Sequence, residues 1–476
     1  MAVASQAYEK DHIWFGLAVI SFFIVGCFTL HHSWLISDVN SYYNQALAIL
    51  SGSNNIYLTD PVSSESVSLL DAPYPLGNAS WLALCQLLLG KEFIFLGSLF
   101  CSIFGIYFTK RTLDYAKLPS LAIYLLFFTV PLQFYTNTLM SGMPSFLLAS
   151  IFLCLLVKME DGRLKWFVLC ALAVFSAWFR ETNVLLLGGI CLIHFMQERK
   201  YFLAYVLGSF LGFLPRLVSH QLMFDDPLHF MFSESFTAAA FMSQLDLYLF
   251  IELILFPLGL LVAIVYSGSY KLPMKLSVLG FCLFYTAYAY DATLYSGFVR
   301  GSLVNSRFLL PLAPFFVYML ASWLTKFRLP IWLFPLGSLA AILFTVMCQI
   351  TVYNEHNKHH EVSQYLQEKY SEEVVLYDMT GLTNITRYIN TLATNMPYRV
   401  DVIKVTDSNY MTELFTKYDK AVIFMTENVA NTEKMSKTQV IASYMNEAAA
   451  SYKLTKIEEI PVENGLSVVV FELGPK

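Results

Sequence analysis

Asp38 stands seven positions beyond the first long apolar run, 12–31, and is followed by the tyrosine pair Tyr42 and Tyr43. An acid at the edge of an apolar segment has two uses. It can cap the helix that begins there, a contribution of about 1 kcal/mol, or it can act as a general base on a hydroxyl held at the membrane surface. The residues alone leave both open. Four arginines supply complementary charge: Arg180, Arg216, Arg300 and Arg307 each fall at the end of an apolar segment. Charges at membrane depth are costly and tend to mark function, and the planar guanidinium suits bidentate contact with phosphate. The plainer reading is snorkelling to lipid headgroups or pairing, as Arg180 could pair with Glu181.

The other acids on the same side are Asp225, Asp226, Glu234 and Asp291. Asp225-Asp226-Pro227 followed by His229 resembles a hard-cation site only loosely, because Mg²⁺ or Mn²⁺ requires convergent oxygen ligands. A solvated turn is the simpler expectation. No cofactor is assigned on this basis. A divalent metal is not favoured, and Asp225 and Asp226 are its weak candidates. His356, His359 and His360 could share a helix face, but they lie where a helix leaves the membrane and read as interfacial. The eight cysteines fall in apolar stretches without metal-type spacing and read as packing residues. Two tripeptides, Asn78-Ala79-Ser80 and Asn384-Ile385-Thr386, have the pattern of outward-facing glycosylation sites.

The elements that must position these groups follow from composition. Of 476 residues, 57% are hydrophobic and 14% charged, with a mean hydropathy of +0.55. A soluble globular chain is about 45–50% apolar and about 25% charged, so a soluble enzyme is excluded. Residues 1–352 hold 18 basic and 18 acidic residues, whereas 353–476 hold 12 and 17. A membrane body, 1–352, therefore precedes a soluble tail, 353–476, and neither is basic enough for nucleic acid. Apolar runs place eleven spans near 12–31, 93–109, 119–133, 144–157, 166–179, 183–196, 201–219, 247–267, 276–290, 307–325 and 329–351.

On this map thirteen basic residues fall in the loops of one side and about five on the other, which makes the N-terminus cytoplasmic. Residues 32–92, 134–143, 220–246, 291–306 and 352–476 then face outward. Counting 75–90 as a twelfth span would scramble the asymmetry, so it is expected as a helix lying at the outer interface. Residues 38–50 are expected as an amphipathic helix in the same first outer loop, capped by Ser37 or Asp38. The tail alternates strand-like runs (373–378, 398–405, 420–426, 453–460, 466–473) with helical patterns near 382–394, 409–417 and 436–450. That predicts a small α/β domain with a partly parallel sheet. The turn Asp378-Met379-Thr380-Gly381 is expected to be only a turn.

The order Ser37-Asp38-Val39-Asn40-Ser41-Tyr42-Tyr43, then Gly52, Tyr57 and Pro73-Tyr74-Pro75-Leu76, resembles the first outer loop of the GT-C membrane glycosyltransferases. The branch it looks most like is that of protein O-mannosyltransferases and lipid A aminoarabinose transferases. Ser306-Arg307-Phe308-Leu309-Leu310-Pro311-Leu312-Ala313-Pro314 is similar to that family's entry to a late span. The resemblance implies that Asp38 is catalytic, with Tyr42, Tyr43, Tyr74, Glu181 and the four arginines around the substrates. The chain departs from the pattern at Leu139-Met140-Ser141-Gly142-Met143-Pro144, where Gly142 stands in place of a second acid.

The activity so implied is inverting transfer of a sugar from a polyprenyl-phosphate carrier to a hydroxyl of a lipid, glycan or protein at the outer face. The membrane would be a bacterial inner membrane with the site on the periplasmic side, rather than that of the endoplasmic reticulum. The rivals are a transporter or flippase of a lipid-linked sugar, and a polysaccharide polymerase or ligase. No internal repeat of the kind common in transporters is evident, and the long loop comes first rather than late.

Overall fold

The computed structural model describes residues 2–29, 37–52, 75–90, 93–160, 162–195, 199–227, 237–268, 270–288, 298–327, 329–370, 373–377, 399–401, 407–428, 445–463 and 466–476. By its contacts the chain forms two compact units, Met1–Leu30 with Pro73–Val352, and His31–Ala72 with Tyr353–Lys476.

The helices in chain order are α1 (Ala2–Phe28), α2 (Ser37–Ser51), α3 (Leu76–Leu89), α4 (Leu96–Tyr115), α5 (Tyr124–Phe128), α6 (Val130–Tyr135), α7 (Gly142–Lys158), α8 (Arg163–Phe179) and α9 (Asn183–Phe195). They continue with α10 (Arg199–Phe224), α11 (Ala238–Phe250), α12 (Gly259–Val265), α13 (Lys271–Thr286), α14 (Phe298–Ser306), α15 (Ala313–Leu324), α16 (Leu333–Lys369) and α17 (Ser408–Lys417). Each apolar run of the sequence map contains helix among the described residues. Among the described residues Arg199–Val218, Ala238–Leu255 and Leu333–Asn354 are individually long and apolar enough to cross a membrane. Their outer surfaces are apolar too: Leu203, Phe210 and Leu214 of α10 are all exposed.

Two expected spans are not single helices. The 119–133 run is a 3₁₀ turn, Ser120–Ile123, followed by α5 and α6, which separate where Thr129 turns extended just ahead of Pro131. The 247–267 run passes from α11 through a π-helical turn, Ile251–Leu255, and stops at Phe256-Pro257-Leu258 before α12. Proline cannot donate the next helical hydrogen bond, and Leu258 is left-handed at φ 65°.

In the first unit α8 and α10 pack almost backbone to backbone. A Cβ on Gly208 would run into the Cys170 carbonyl, and one on Gly212 would lie 2.5 Å from that of Val174. Small residues spaced by four let membrane helices approach this closely. One end of this unit gathers lysines and arginines on tyrosine rings. Arg111 and Lys158 lie over Tyr115 at 4.9 and 4.7 Å, and Lys165 and Lys200 lie over Tyr201 at 4.9 and 4.6 Å. Arg180 and Arg216 sit near the opposite ends of the helices that start there, α8 and α10.

The second unit contains a five-stranded sheet of β1 (Val375–Tyr377), β2 (Arg399–Asp401), β3 (Ala421–Asn428), β4 (Lys453–Glu463) and β5 (Leu466–Gly474). Its order is β2-β1-β3-β5-β4; the first three strands are parallel, and β5 is antiparallel to both neighbours. All five expected strands are present, and the sheet is partly parallel as the alternation predicts. Alternation in Ala421-Val422-Ile423-Phe424 serves two cores. Ala421 and Ile423 pack with Tyr410, Met411 and Leu414 of α17, whereas Val422 and Phe424 pack with Val362, Leu366 and Tyr370. Val362 and Leu366 belong to the last turns of α16, and Tyr370 follows its end. That end is pinned to β4, because Glu458 accepts from Tyr365 (2.5 Å), Lys369 (2.7 Å) and Tyr370 (3.1 Å). The expected helix at 382–394 and the turn at 378–381 lie outside the described residues.

Candidate active site

Arg180 ends α8 in an extended conformation, and its Nη1 donates to the Arg307 carbonyl at 3.4 Å. Arg307 is buried at 4% exposure and donates to the Val304 carbonyl at 2.9 Å. Both guanidiniums sit over one ring, that of Phe308, at 4.6 and 4.5 Å. Tyr285 stacks on the same ring at 4.9 Å and 12°, lies 5.7 Å from Arg180, and donates to Thr182 Oγ1 at 2.5 Å. Two cations are thus held at one aromatic platform, and among the described residues Arg180 has no carboxylate within ion-pair reach. Tyr248 of α11 adds a buried hydroxyl with no hydrogen-bond partner among the described residues. Such an arrangement can stabilise an anion through charge, and through hydrogen bonding where water is excluded.

Arg216 serves differently. Its Nη1 is 2.5 Å from Glu181 Oε1, with both side chains partly buried. The glycine contacts explain this, because Gly212 packs against Val174 and Ala177, which brings Arg216, one turn further along α10, to Glu181 just past the end of α8. Glu181 therefore pairs with Arg216 and not with its neighbour Arg180.

The loop before α7 is buried throughout. At Gly142 a Cβ would lie 2.8 Å from Leu310 Cδ1 and 3.6 Å from the Arg307 carbonyl. The space a second acid would use is occupied by Leu310. Asn137 in this loop donates to Gln349 Oε1 (3.1 Å) of α16 and to Thr29 Oγ1 (3.3 Å) just past α1, while Gln349 donates to the Gln133 carbonyl (2.8 Å). This polar network ties the end of α1 to the loop before α7 and to α16. Asn78 of α3 donates to the Leu139 carbonyl at 3.0 Å and is buried at 1% exposure, so it is not the outward-facing glycosylation site its tripeptide suggested. Asn384 lies outside the described residues.

In the second unit, α2 begins at Ser37 and ends at left-handed Gly52, as the amphipathic pattern predicts. Asp38 falls in its first turn; its side chain lies outside the described residues. Tyr42 and Tyr43 are buried. Tyr74, Tyr57, His229, Glu234 and Asp291 lie outside the described residues, as does the side chain of Arg300 on α14. Asp225 and Asp226 occupy an exposed turn after α10, with Asp225 left-handed at φ 53° and accepting from Gln221 at 2.7 Å. Among the described residues no three His, Cys, Asp or Glu side chains converge as a metal site would need.

The sequence reading passed over Tyr285, Tyr248 and Glu252. Nothing in spacing marks either tyrosine. Glu252 did carry a signal, an acid inside an apolar run; it is buried at the π-helical turn, with Oε1 lacking a partner among the described residues.

No family model matches the sequence, and no curated protein matches it either. Solved structures match the fold over nearly the whole chain. The crystal structure of ArnT from Cupriavidus metallidurans in the apo state superposes with a TM-score of 0.58 at 11% identity, covering 98% of each chain. The same protein bound to undecaprenyl phosphate gives 0.56 at 11% identity, covering 97% of each. Identity this low speaks to the fold alone, and on that level the chain is similar to ArnT over nearly its whole length.

Proposed function

We propose that the protein is a GT-C-type glycosyltransferase that moves a sugar, with inversion, from a polyprenyl-phosphate carrier to a hydroxyl of a lipid, glycan or protein. The observation that carries this is the pair Arg180 and Arg307 on the Phe308 platform, in a fold shared with a protein crystallised with undecaprenyl phosphate. These two arginines hold the phosphate and stabilise the charge that develops on it as the sugar leaves. Arg300 and Tyr74 are assigned to the same substrates, with Tyr42 and Tyr43 supporting α2. Asp38 takes the acceptor proton. Glu181 and Arg216 hold α8 against α10 and so aim Arg180.

In this reading eleven segments cross a bacterial inner membrane. The Arg180 end and the tail face the periplasm, and the lysine-rich end faces the cytoplasm. The test uses purified full-length protein with a labelled polyprenyl-phosphate sugar, cell-envelope extract as acceptor and no ion gradient. Label should pass to the acceptor while free polyprenyl phosphate appears. A donor that stays intact yet crosses the bilayer of proteoliposomes would identify a transporter and end the proposal.

A further inference from the structure

At the lysine-rich end of the first unit, α4 and α7 finish side by side. A Cβ on Gly105 would run into Phe146, and one turn on Thr109 donates to Ser150 Oγ at 3.2 Å, so the two helices run parallel and in register. That register brings Lys158, the last residue of α7, to Tyr115, the last of α4. Arg111 Nη2 donates to the Tyr115 hydroxyl at 2.8 Å and its guanidinium lies 4.9 Å from the ring centre, while Lys158 Nζ lies over the same ring at 4.7 Å. Hydrogen bonds from Lys158 and Arg111 hold the Tyr115 hydroxyl below its usual pKa. Among the described residues neither cation has a carboxylate within ion-pair reach, since Asp114 is bound to Lys110 at 2.6 Å and Glu160 pairs with neither. One cation in the last turn of a helix is ordinary. Two cations from two helices on one phenol, without an acid, form an uncompensated positive centre. The same face of α4 continues as an exposed aromatic strip, Phe104 and Tyr107, about 10 and 6 Å from Arg111 along the axis at 1.5 Å per residue.

We propose that Arg111, Tyr115 and Lys158 seat the headgroup phosphate of an anionic diacyl phospholipid, with an acyl chain lying along Tyr107 and Phe104. The planar guanidinium and the ammonium each give a phosphate oxygen a charge-assisted hydrogen bond, and the phenol supplies a further donor. Basic pockets between membrane helices on the cytoplasmic side hold anionic headgroups in this way. The exposed aromatic strip decides the source, because a soluble phosphate would make no use of it, whereas a lipid fills it in the same pose. The proposal stands apart from the transferase reading and needs only that α4 and α7 cross a bilayer.

The test is native mass spectrometry of the full-length protein released from nanodiscs of equal parts phosphatidylglycerol and phosphatidylcholine. The variant is Arg111→Gln with Lys158→Gln. Its control is Arg199→Gln with Lys326→Gln, which removes the same charge from two exposed residues that the sequence map puts on the same side. Wild type and control should retain phosphatidylglycerol in preference to phosphatidylcholine, and millimolar inorganic phosphate should not displace it. In the Arg111–Lys158 variant the retained phosphatidylglycerol should fall about tenfold or more, as loss of two charge-assisted contacts would cause. An equal fall in the control would reduce the effect to net charge and overturn the proposal, as would retention unchanged in the variant. Displacement by inorganic phosphate would make this a soluble-anion site and overturn the lipid assignment. The wild-type preference needs no variant, so equal retention of the two lipids by wild type would overturn the proposal whether or not the variant folds.

Discussion

Arg180 and Arg307 are 127 positions apart in the chain, yet the first donates to the carbonyl of the second and both guanidiniums rest on the ring of Phe308. With ring distances of 4.6 and 4.5 Å the two charges are at most about 9 Å apart. At an effective dielectric of about 20 their repulsion is at least roughly 2 kcal/mol. Aromatic stacking offsets part of this, and a bound phosphate would reverse it.

Neutralising either arginine should therefore weaken donor capture. Arg180→Gln and Arg307→Gln each remove a charge-assisted contact worth about 1.5–3 kcal/mol, so kcat/KM for the donor should fall by about 10- to 150-fold. Arg180→Lys keeps the charge but not the planar fork and should recover only part. Steady-state kinetics with the labelled donor checks the order wild type, Lys, Gln.

The close approach of α8 and α10 makes Gly212 a positional residue. Gly212→Leu must push Val174 and Ala177 away, an overpacking cost of about 1–3 kcal/mol, and it should part Arg216 from Glu181. A lower melting temperature together with reduced donor affinity is expected. Affinity unchanged from wild type would show that the ion pair does not aim Arg180.

In the tail, Glu458 is partly desolvated, which works against ionisation, but hydrogen bonds from Lys369, Tyr365 and Tyr370 outweigh this and hold its carboxyl below the usual value. Hydrogen bonds to Glu458 and Tyr365 hold Lys369 above its own. A depressed carboxylate stabilises the fold above its unfolded pKa and loses that contribution as pH falls through the folded one; a raised lysine does so below its unfolded pKa and loses it as pH rises through the folded one. The contact is thus complete across neutral pH. Thermal unfolding of full-length Glu458→Gln should show a lowered melting temperature at pH 7, with the difference closing on acidification.

Leu310 fills the place where a second acid would stand opposite Gly142, so turnover is expected to survive a chelator. Loss of transfer in EDTA, restored by Mg²⁺ or Mn²⁺, would contradict this and direct attention to Asp225 and Asp226.

Local signals were legible in the sequence where one residue's neighbours decide its structure. The alternation in 420–426 and 466–473 yields strands, and the apolar face of 38–50 together with Gly52 yields α2. Pairings made across the bundle were not legible. Adjacency suggested Arg180 with Glu181, but the partner is Arg216, brought there by glycines on α10. The Asn78 tripeptide looked accessible until α3 packed against the 134–143 loop. Tyr285 became part of the site only because α13 ends beside Thr182, a contact that no spacing rule encodes.

The claim that this is an acid–base transferase is tested most directly by single-turnover kinetics of Asp38→Asn on the bound donor. Asparagine is as good a residue as aspartate for starting a helix but cannot accept the proton. Expression and donor binding should match wild type while the rate falls by about 10²–10⁴. A rate within about threefold of wild type would contradict the assignment of Asp38 as the base and remove the chemical centre of the proposed reaction.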